Sequence, residues 1–315
     1  DLLSRPSGDR SEVAKRVAHW NQGVGRHRFR QLDDRFERPV TVADLLLHTA
    51  GFDDVFFGTH VRDAAALKSI GDFLNDHLPA RYEAPGEFIS YNDHGYTLAG
   101  LLVEDVSGQS FDTYVAVQIL LPLSMGKSTF TQPQDAALLA TMALGYHYRD
   151  GEHRPYAHDY VQVSPAAALL TTATDMGNFI TAHLTGGTFE GEQILQSETV
   201  AAMHSTQFSH HPALRGRGYG FSEWLENGRR AVFHDGGNPG FLNRLMLIPE
   251  ENVGFFLTFN NDQYTGGTRF HRAFTSEFLD AFYPEAVKNP IDSFVPIALT
   301  RSLRDFQGHY RPMQA

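Results

Sequence analysis

At residue 218 the pattern of the chain changes, and that change limits the folds open to it. From there "GYGFSEWL", "RAVFHDGG", "FLNRLMLIPE" and "VGFFLTFNN" are short strand-like runs separated by turn residues. "TRFHRAFTSEFLDAFY" then closes as a helix. Upstream, apolar residues recur at helical spacing instead. Helices gathered in one part and strands in another predict an α+β fold. The expected architecture is an antiparallel sheet flanked by helices, plus an all-helical subdomain.

The helical part has its own punctuation. Residues 11–20 suit a short helix, and 21–38, rich in Arg, His and Asp, read as irregular. In "PVTVADLLLHTAGF" (39–52), Thr41 can cap and Asp44 lies in the first turn. Leu45, Leu46 and Leu47 would face a core, and Gly51 stops the helix. Residues 61–79 read as one amphipathic helix, with Ala65, Leu67, Ile70, Phe73 and Leu74 near one face. "HGYTLAGLLVEDVSGQSFDTYVAVQILLPL" predicts two helices broken at Gly108, and "TTATDMGNFITAHLTGG" a capped helix ended by two glycines. One domain is expected over 1–284, its helical lobe about 55–190 and its sheet lobe mainly 191–284. Residues 285–315, with three prolines, read as a linker into the start of a further C-terminal segment.

Composition removes several function classes. The chain has 315 residues, 42% hydrophobic and 20% charged, enough for a packed core. A formal net charge of −11 argues against nucleic-acid binding and gives no pull toward an anionic membrane. There are no cysteines, which excludes disulfides, thiolate catalysis and cysteine–zinc sites. No stretch approaches the ~18 apolar residues of a membrane span. The opening "DLLSRPSGDRSEVAKR" is charged and unlike a signal peptide. Sixteen histidines raise the question of a metal hydrolase, with His147, His153, His158, His210 and His211 in expected loops. No His-Glu-x-x-His or other ligand spacing accompanies them, so a solvated histidine-rich surface is the expectation, with no metal and no cofactor.

Four further stretches carry the chemistry. These are "APGEFISYNDHGYTLAGLLVEDVSGQSF", "ILLPLSMGKSTF", "LLTTATDMGNFI" and "FHDGGNPGFLNRLMLIPEENVGFFLTFNN". Together with "VTVADLLLHTAGF", and in this order over roughly residues 39–262, the chain resembles the serine β-lactamase and penicillin-binding-protein-like family. The branch it resembles holds class C β-lactamases, D-aminopeptidases and family VIII esterases. That resemblance implies a β-lactamase/transpeptidase-like fold. It also implies a small-molecule or peptide substrate, and a periplasmic or extracellular place, since members of that branch are often exported.

The resemblance assigns roles by motif. Tyr91-Asn92-Asp93 matches the family's Tyr-x-Asn, whose tyrosine serves as general base or proton shuttle for a serine. A phenol with an unperturbed pKa near ~10 needs neighbouring positive charge for that task. The family supplies it with the lysine of Ser-x-x-Lys, which puts serine and lysine one turn apart on a helix. His234-Asp235-Gly236 matches the family's strand motif. There the histidine helps hold a proton network, and Gly236 and Gly237 let substrate backbone lie against the strand edge, near an oxyanion hole of backbone N–H groups. Tyr91 and His234 are thus the expected catalytic residues, and Asp93, Asp235, Gly236 and Gly237 the expected substrate-binding ones. Taken singly, a loop-end tyrosine packs, a strand histidine is surface, and Asp93 caps its helix. His48 and Thr49 are expected to fix the loop, and Asp175 to cap its helix.

The nucleophile does not fit the pattern. Family spacing puts Ser-x-x-Lys near or before residue 1, upstream of "HTAG". Ser11 and Lys15 are four apart rather than three. Ser124-Met125-Gly126-Lys127 has the spacing but follows Tyr91 and occupies the Pro-Leu-Gly-Met turn. Gly-x-Ser-x-Gly is absent. The expectation is a serine hydrolase acting on an ester, amide or peptide through an acyl-enzyme, its nucleophile segment missing from this chain by truncation or cleavage. The alternative is a non-catalytic homologue that binds a ligand or partner in the same place. Asp93 and Asp235, where the family more often has asparagine and threonine or serine, would make the site negative. They point to a neutral or amine-bearing substrate.

Overall fold

The computed structural model describes residues 35–261 and 267–284. Helix α1 (Val42–Leu46) starts where a capping box forms: the Thr41 hydroxyl accepts from the Asp44 N–H, and the Asp44 carboxylate accepts from the Thr41 N–H at 2.8 Å. Helix α2 (Ile70–His77) is capped by Ser69. Helix α3 (Asp93–Ser107) is capped by Asn92, whose Oδ1 accepts from the Gly95 N–H at 2.7 Å, and stops at Gly108 in the left-handed region, φ 72°. Helix α4 (Phe111–Val115) runs into a π turn over Ala116–Leu120. The short helices α5 (Ala136–Leu139) and α6 (Ser164–Ala167) precede α7 (Ala173–Leu184), capped by Thr172, and α8 (Ser197–His204).

The small strands β1 (His60–Val61) and β4 (Tyr160–Val161) pair, as do β2 (Tyr146–Arg149) with β3 (Glu152–Pro155) and β5 (Thr188–Phe189) with β6 (Glu192–Gln193). The main sheet is antiparallel in the order β10-β9-β8-β7, from β7 (Ser222–Glu226), β8 (Arg229–Asn238), β9 (Phe241–Ile248) and β10 (Val253–Phe259). Helix α9 (Gly267–Phe282) follows. Pro239-Gly240 makes the two-residue turn between β8 and β9. Gly240 has φ 80°, and a Cβ there would lie 2.5 Å from the Gly145 Cα, so both conformation and space require glycine.

Alternation along β8 and β9 sorts their side chains between two cores. Val232, Leu245 and Leu247 join Met176, Ile180 and Leu123 from the helical part. Ala231, Met246 and Ile248 join Trp224 and Leu279 on the side of α9. A third core lies within the helices, from Leu45, Phe52, Phe73, Leu74, Leu98 and Leu101. The fold is the expected α+β arrangement of an antiparallel sheet with helices packed against it. No helix among the described residues is long and apolar enough to cross a membrane.

Two local expectations are corrected. Residues 61–79 are not one helix. Asp63 caps a single 3-10 turn at Ala64–Ala66, and Ser69 starts α2 afresh with its hydroxyl accepting from the Asp72 N–H. Two competing caps outweigh the apolar spacing. His147 and His153 lie on the hairpin strands β2 and β3, not in loops. The expected helix at 11–20 and the linker at 285–315 lie outside the described residues.

Two predictions follow from the packing. Arg244, 1% exposed, is held by both Asp235 oxygens at 2.7 Å and by Thr275 at 3.1 Å, and its guanidinium lies over the rings of Trp224 and Phe233. Asp235→Ala leaves that guanidinium buried without its carboxylate, and urea unfolding should show a loss of about 2–3 kcal/mol. The second concerns acid. His183 Nδ1 and His204 Nε2 lie 3.1 Å apart between α7 and α8, and burial pushes the two imidazoles down to about 3 and about 4. The unfolded chain protonates both from ~6.5 downward while the folded chain does not. Stability should therefore fall between about pH 6.5 and 4, by about 1.4 kcal/mol per pH unit for each ring. The His183→Leu/His204→Leu double variant should show a visibly shallower decline in urea midpoint between pH 7 and pH 5. An unchanged slope would remove the pair as its source.

Candidate active site

The site starts from the loop between α1 and α3. His48 sits just past α1 with φ 57°, a left-handed conformation that costs a non-glycine residue about 1 kcal/mol or more. Three contacts hold it there. Its carbonyl accepts from the Ser90 N–H at 2.7 Å, its Nδ1 accepts from the Asn92 N–H at 3.2 Å, and its ring stacks on Tyr91 and Tyr96 at 4.2 and 4.9 Å between centroids. A neutral imidazole that accepts at Nδ1 carries its hydrogen on Nε2. That Nε2 is buried and has no hydrogen-bond partner among the described residues. Thr49 donates to Asp44, and its carbonyl accepts from the Gly86 N–H at 2.7 Å, closing the loop that delivers Tyr91. His48 and Thr49 do fix the loop, but His48 is also part of the site.

Tyr91 is surrounded by both signs of charge. The Arg217 guanidinium lies 5.7 Å from the centre of its ring. Positive charge is present, as the shuttle role demands, yet it does not prevail. Burial, then Asp93, hold the Tyr91 phenol well above its ordinary range, against the pull of Arg217. Tyr91 is thus a phenol, a proton donor, at neutral pH. Tyr96 is pushed up to about 12 by burial, and its hydroxyl donates to the Leu46 carbonyl at 2.9 Å. Burial raises Asp93 despite the nearby His60. Burial and the charge of Asp93 raise Asp54 to about 6. Asp93 is the first residue of α3; the cap itself is Asn92, 1% exposed, whose Nδ2 also donates to the Ser90 carbonyl.

His234 enters from β8. Burial, then Arg217, push its imidazole below the ordinary range, so it is neutral at pH 7. The same guanidinium thus bears on Tyr91, His48 and His234, and His234 in turn lowers His48. The two residues expected to be catalytic share one electrostatic neighbourhood with His48 and Arg217.

Alternation sends the next residue the other way. Asp235 pairs across the ladder with Arg244 and forms its ion pair on the α9 side of the sheet. The expectation that Asp235 adds negative charge to the site is therefore corrected: its carboxylate faces the opposite side and is matched by Arg244. Gly236 and Gly237 are exposed on β8. β7 ends opposite Phe233, and no described strand continues it along 234–238. A Cβ at Gly236 or Gly237 would meet only ordinary contacts, at 3.6 and 3.5 Å, so the chain's own packing does not require glycine there. Asn238 closes the strand by donating to the Ala167 carbonyl, with His60 Nε2 at 3.3 Å from its Oδ1.

Other candidates lie elsewhere. Ser124 has φ 53° in the turn after the π helix, and Met125 beside it is core, so Ser124 and Lys127 do not share a helix face. Asp175 accepts at its carboxylate from the Lys127 N–H and the Ser128 hydroxyl, tying that turn to α7, while the cap is Thr172. Ser90 donates to the Phe52 carbonyl at 2.9 Å. His147 and His153 each lie tilted against a tyrosine, His158 meets Tyr160 edge to face, and His210 lies tilted against Phe88. No group of three or more His, Asp or Glu among the described residues is placed to hold a metal ion. Arg217, Asp54, His60, Tyr96 and Asn238 were not legible as site residues. Arg217 sits in "RGRGYG", where nothing local distinguishes a buried arginine from its exposed neighbour Arg215.

The geometry agrees with what the chain is similar to. Penicillin-binding protein 4 of Amycolatopsis lactamdurans is 28% identical over 289 residues, covering 86% of this chain and 74% of that protein. Protein flp of Staphylococcus aureus strain MW2 is 24% identical over 253 residues, 78% of this chain, which spans about half, 48%, of that relative's length. The octameric penicillin-binding protein homologue from Pyrococcus abyssi superimposes with a TM-score of 0.65 at 21% identity, over 88% of this chain and 65% of that one. That likeness shows a shared fold. The Beta-lactamase family model matches residues 9–277, and the chain belongs to that family.

Proposed function

We propose that this protein is a serine hydrolase that transfers the acyl group of an ester, amide or peptide through an acyl-enzyme. The observation that supports it best is the convergence of Tyr91, His48, Arg217 and His234 beside the edge of β8 at 234–238, which pairs with β9 but with no described strand on its β7 side. An acyl substrate lying along that edge would find exposed Gly236 and Gly237, which offer backbone without side-chain obstruction. The Tyr91 phenol, protonated at rest, is suited to hand a proton to the leaving group. Taking one from the nucleophile requires further positive charge beside it, the role of the lysine in Ser-x-x-Lys. None of the described serines stands beside a base at this place, so the reading puts the nucleophile outside the described residues. The same observation favours the second reading, a homologue that binds in this site without turnover.

Exposure of the intact protein to a fluorophosphonate probe separates the two readings. The hydrolase reading expects one labelled serine, mapped by mass spectrometry. Tyr91→Phe should then slow labelling by about a hundredfold or more. Absence of any labelled serine leaves only the binding reading. The strand edge has its own test. Gly236→Val should leave the melting temperature nearly unchanged, since the chain itself makes room there, yet slow acylation by about tenfold. Equal acylation of the variant would mean that substrate does not lie along 234–238.

A further inference from the structure

The segment 205–220, which carries Arg217, is fastened at both ends to one pair of rings. His204 ends α8 just before it, and Phe221 follows it and leads into β7. His183 of α7 meets both. Its Nδ1 lies 3.1 Å from His204 Nε2, and Phe221 stands edge-on to the two imidazoles, at 5.4 and 5.3 Å between centroids. All three side chains are buried, whereas no apolar side chain of 205–220 is. The other ties of the segment are polar. Arg230 donates to the His204 carbonyl and to Glu223, each at 2.7 Å, and Glu223 accepts from the Thr206 hydroxyl and the Gly216 N–H at 3.2 Å. Few buried apolar contacts mark a segment that can open by itself.

Arg217 depends on that mounting. It is 7% exposed and forms no ion pair with any described residue, and its Nε has no hydrogen-bond partner among them. Its N–H and carbonyl are both bonded to Phe208, inside the same segment. The segment's backbone, not a partner of its own, therefore keeps the guanidinium near Tyr91, His48 and His234.

We propose that the His183–His204 contact is an acid-sensitive latch, which opens as pH falls and lets 205–220 carry Arg217 out of the candidate site while the main sheet stands. It rests on the reading of that site only for its consequence, since the opening needs no turnover. Among the described residues, α7 and α8 supply only the two rings to this place, β8 supplies Arg230, and β7 supplies Glu223. Against burial, the bonds from Arg230 and Gly216 hold the Glu223 carboxyl below its ordinary range, so it stays ionised while the rings take up protons. In the closed segment burial keeps both rings neutral, at about 3 for His183 and about 4 for His204. Released into water, each regains a value of ~6.5. The closed form is thus favoured above that value and loses ground below it. Each ring released shifts the balance about twentyfold toward the open form between pH 7 and pH 5. Full protonation also sets two N–H donors face to face across the contact.

Amide hydrogen exchange of the intact protein at pH 7 and pH 5, over a series of low urea concentrations, tests the latch. Rates are corrected for intrinsic exchange. The amides of Gln207, Phe208, Arg217 and Gly218, all hydrogen-bonded in the closed segment, report on it, and those of β9 report on the sheet. At pH 5 the first set should exchange through an opening that urea barely accelerates, because it exposes little surface. That opening should be at least about twentyfold more frequent than at pH 7. The His183→Leu/His204→Leu variant should show no such rise. If it does not fold, His204→Gln, with one titrating ring left, should show a severalfold smaller one. An opening no more frequent at pH 5, exchange of these amides only by the urea-dependent unfolding that frees β9, or an undiminished rise in the variants would overturn the latch. None of these outcomes touches serine labelling by the fluorophosphonate probe, so the latch and the hydrolase reading fail separately.

Discussion

The alternation of side chains along β8 decides the character of this site. His234 and Asp235 are adjacent in sequence, and the pleat sends them to opposite faces of the sheet. One faces the helical part, where burial and Arg217 keep it neutral. The other faces α9, where it holds a fully buried arginine. The same alternation places Val232 in one core and Ala231 in another. A slip of one residue would exchange all of these at once, which is why the register matters more here than any single contact. The Pro239-Gly240 turn sets that register, and the close approach of Gly145 to Gly240 leaves it little freedom.

On the other side of the junction, a tyrosine is positioned by strain. His48 adopts a left-handed conformation that its side chain does not favour, and loop hydrogen bonds and ring stacking hold it there. The result is a phenol under an imidazole whose tautomer is fixed by a backbone N–H. Two opposed effects act on that phenol. Arg217 favours the phenolate, while burial and Asp93 favour the phenol, and the second pair wins. Each pKa unit corresponds to about 1.4 kcal/mol, so the balance can be moved by one further cation placed nearby. Tyr91 is therefore a group whose role is set by what joins it.

Much of the fold was legible because local chemistry and tertiary packing agree there. Thr41 and Gly108 mark helix ends by mechanisms that act within a few residues, whereas the cap expected from Asp175 is made by Thr172. The four strands of the main sheet follow from apolar runs between turn residues. The single helix expected at 61–79 failed because Asp63 and Ser69 offered the backbone two alternative starts. Tyr91 and His234 stood out in the sequence because they lie in recognisable motifs, and the structure brings both into the neighbourhood of Arg217. Arg217 did not stand out, because its meaning depends on burial, and burial of a charged side chain is a property of the assembled structure. Asp235 was misread for a related reason. Its residue type suggested charge at the site, while its partner Arg244, nine residues away, becomes a neighbour only when the hairpin forms.

Unpartnered groups are not spread evenly in cost. His94, buried in the helical core against Phe73, has no partner for either ring nitrogen among the described residues, and burial lowers its imidazole to about 4. A neutral ring can be left so at modest expense, because no charge is removed from water. Arg217 has no such escape, since a guanidinium does not lose its proton in the range where proteins fold. Folding alone would favour an apolar residue there. The exposed glycines and the unpaired strand edge beside it likewise do nothing for the chain's own packing. A strained histidine, a bare cation and an open backbone edge in one place all oppose stability, and proteins retain such features where a ligand completes them. That shared direction of cost, more than any one motif, is what supports the proposed site at the junction of α3 and β8.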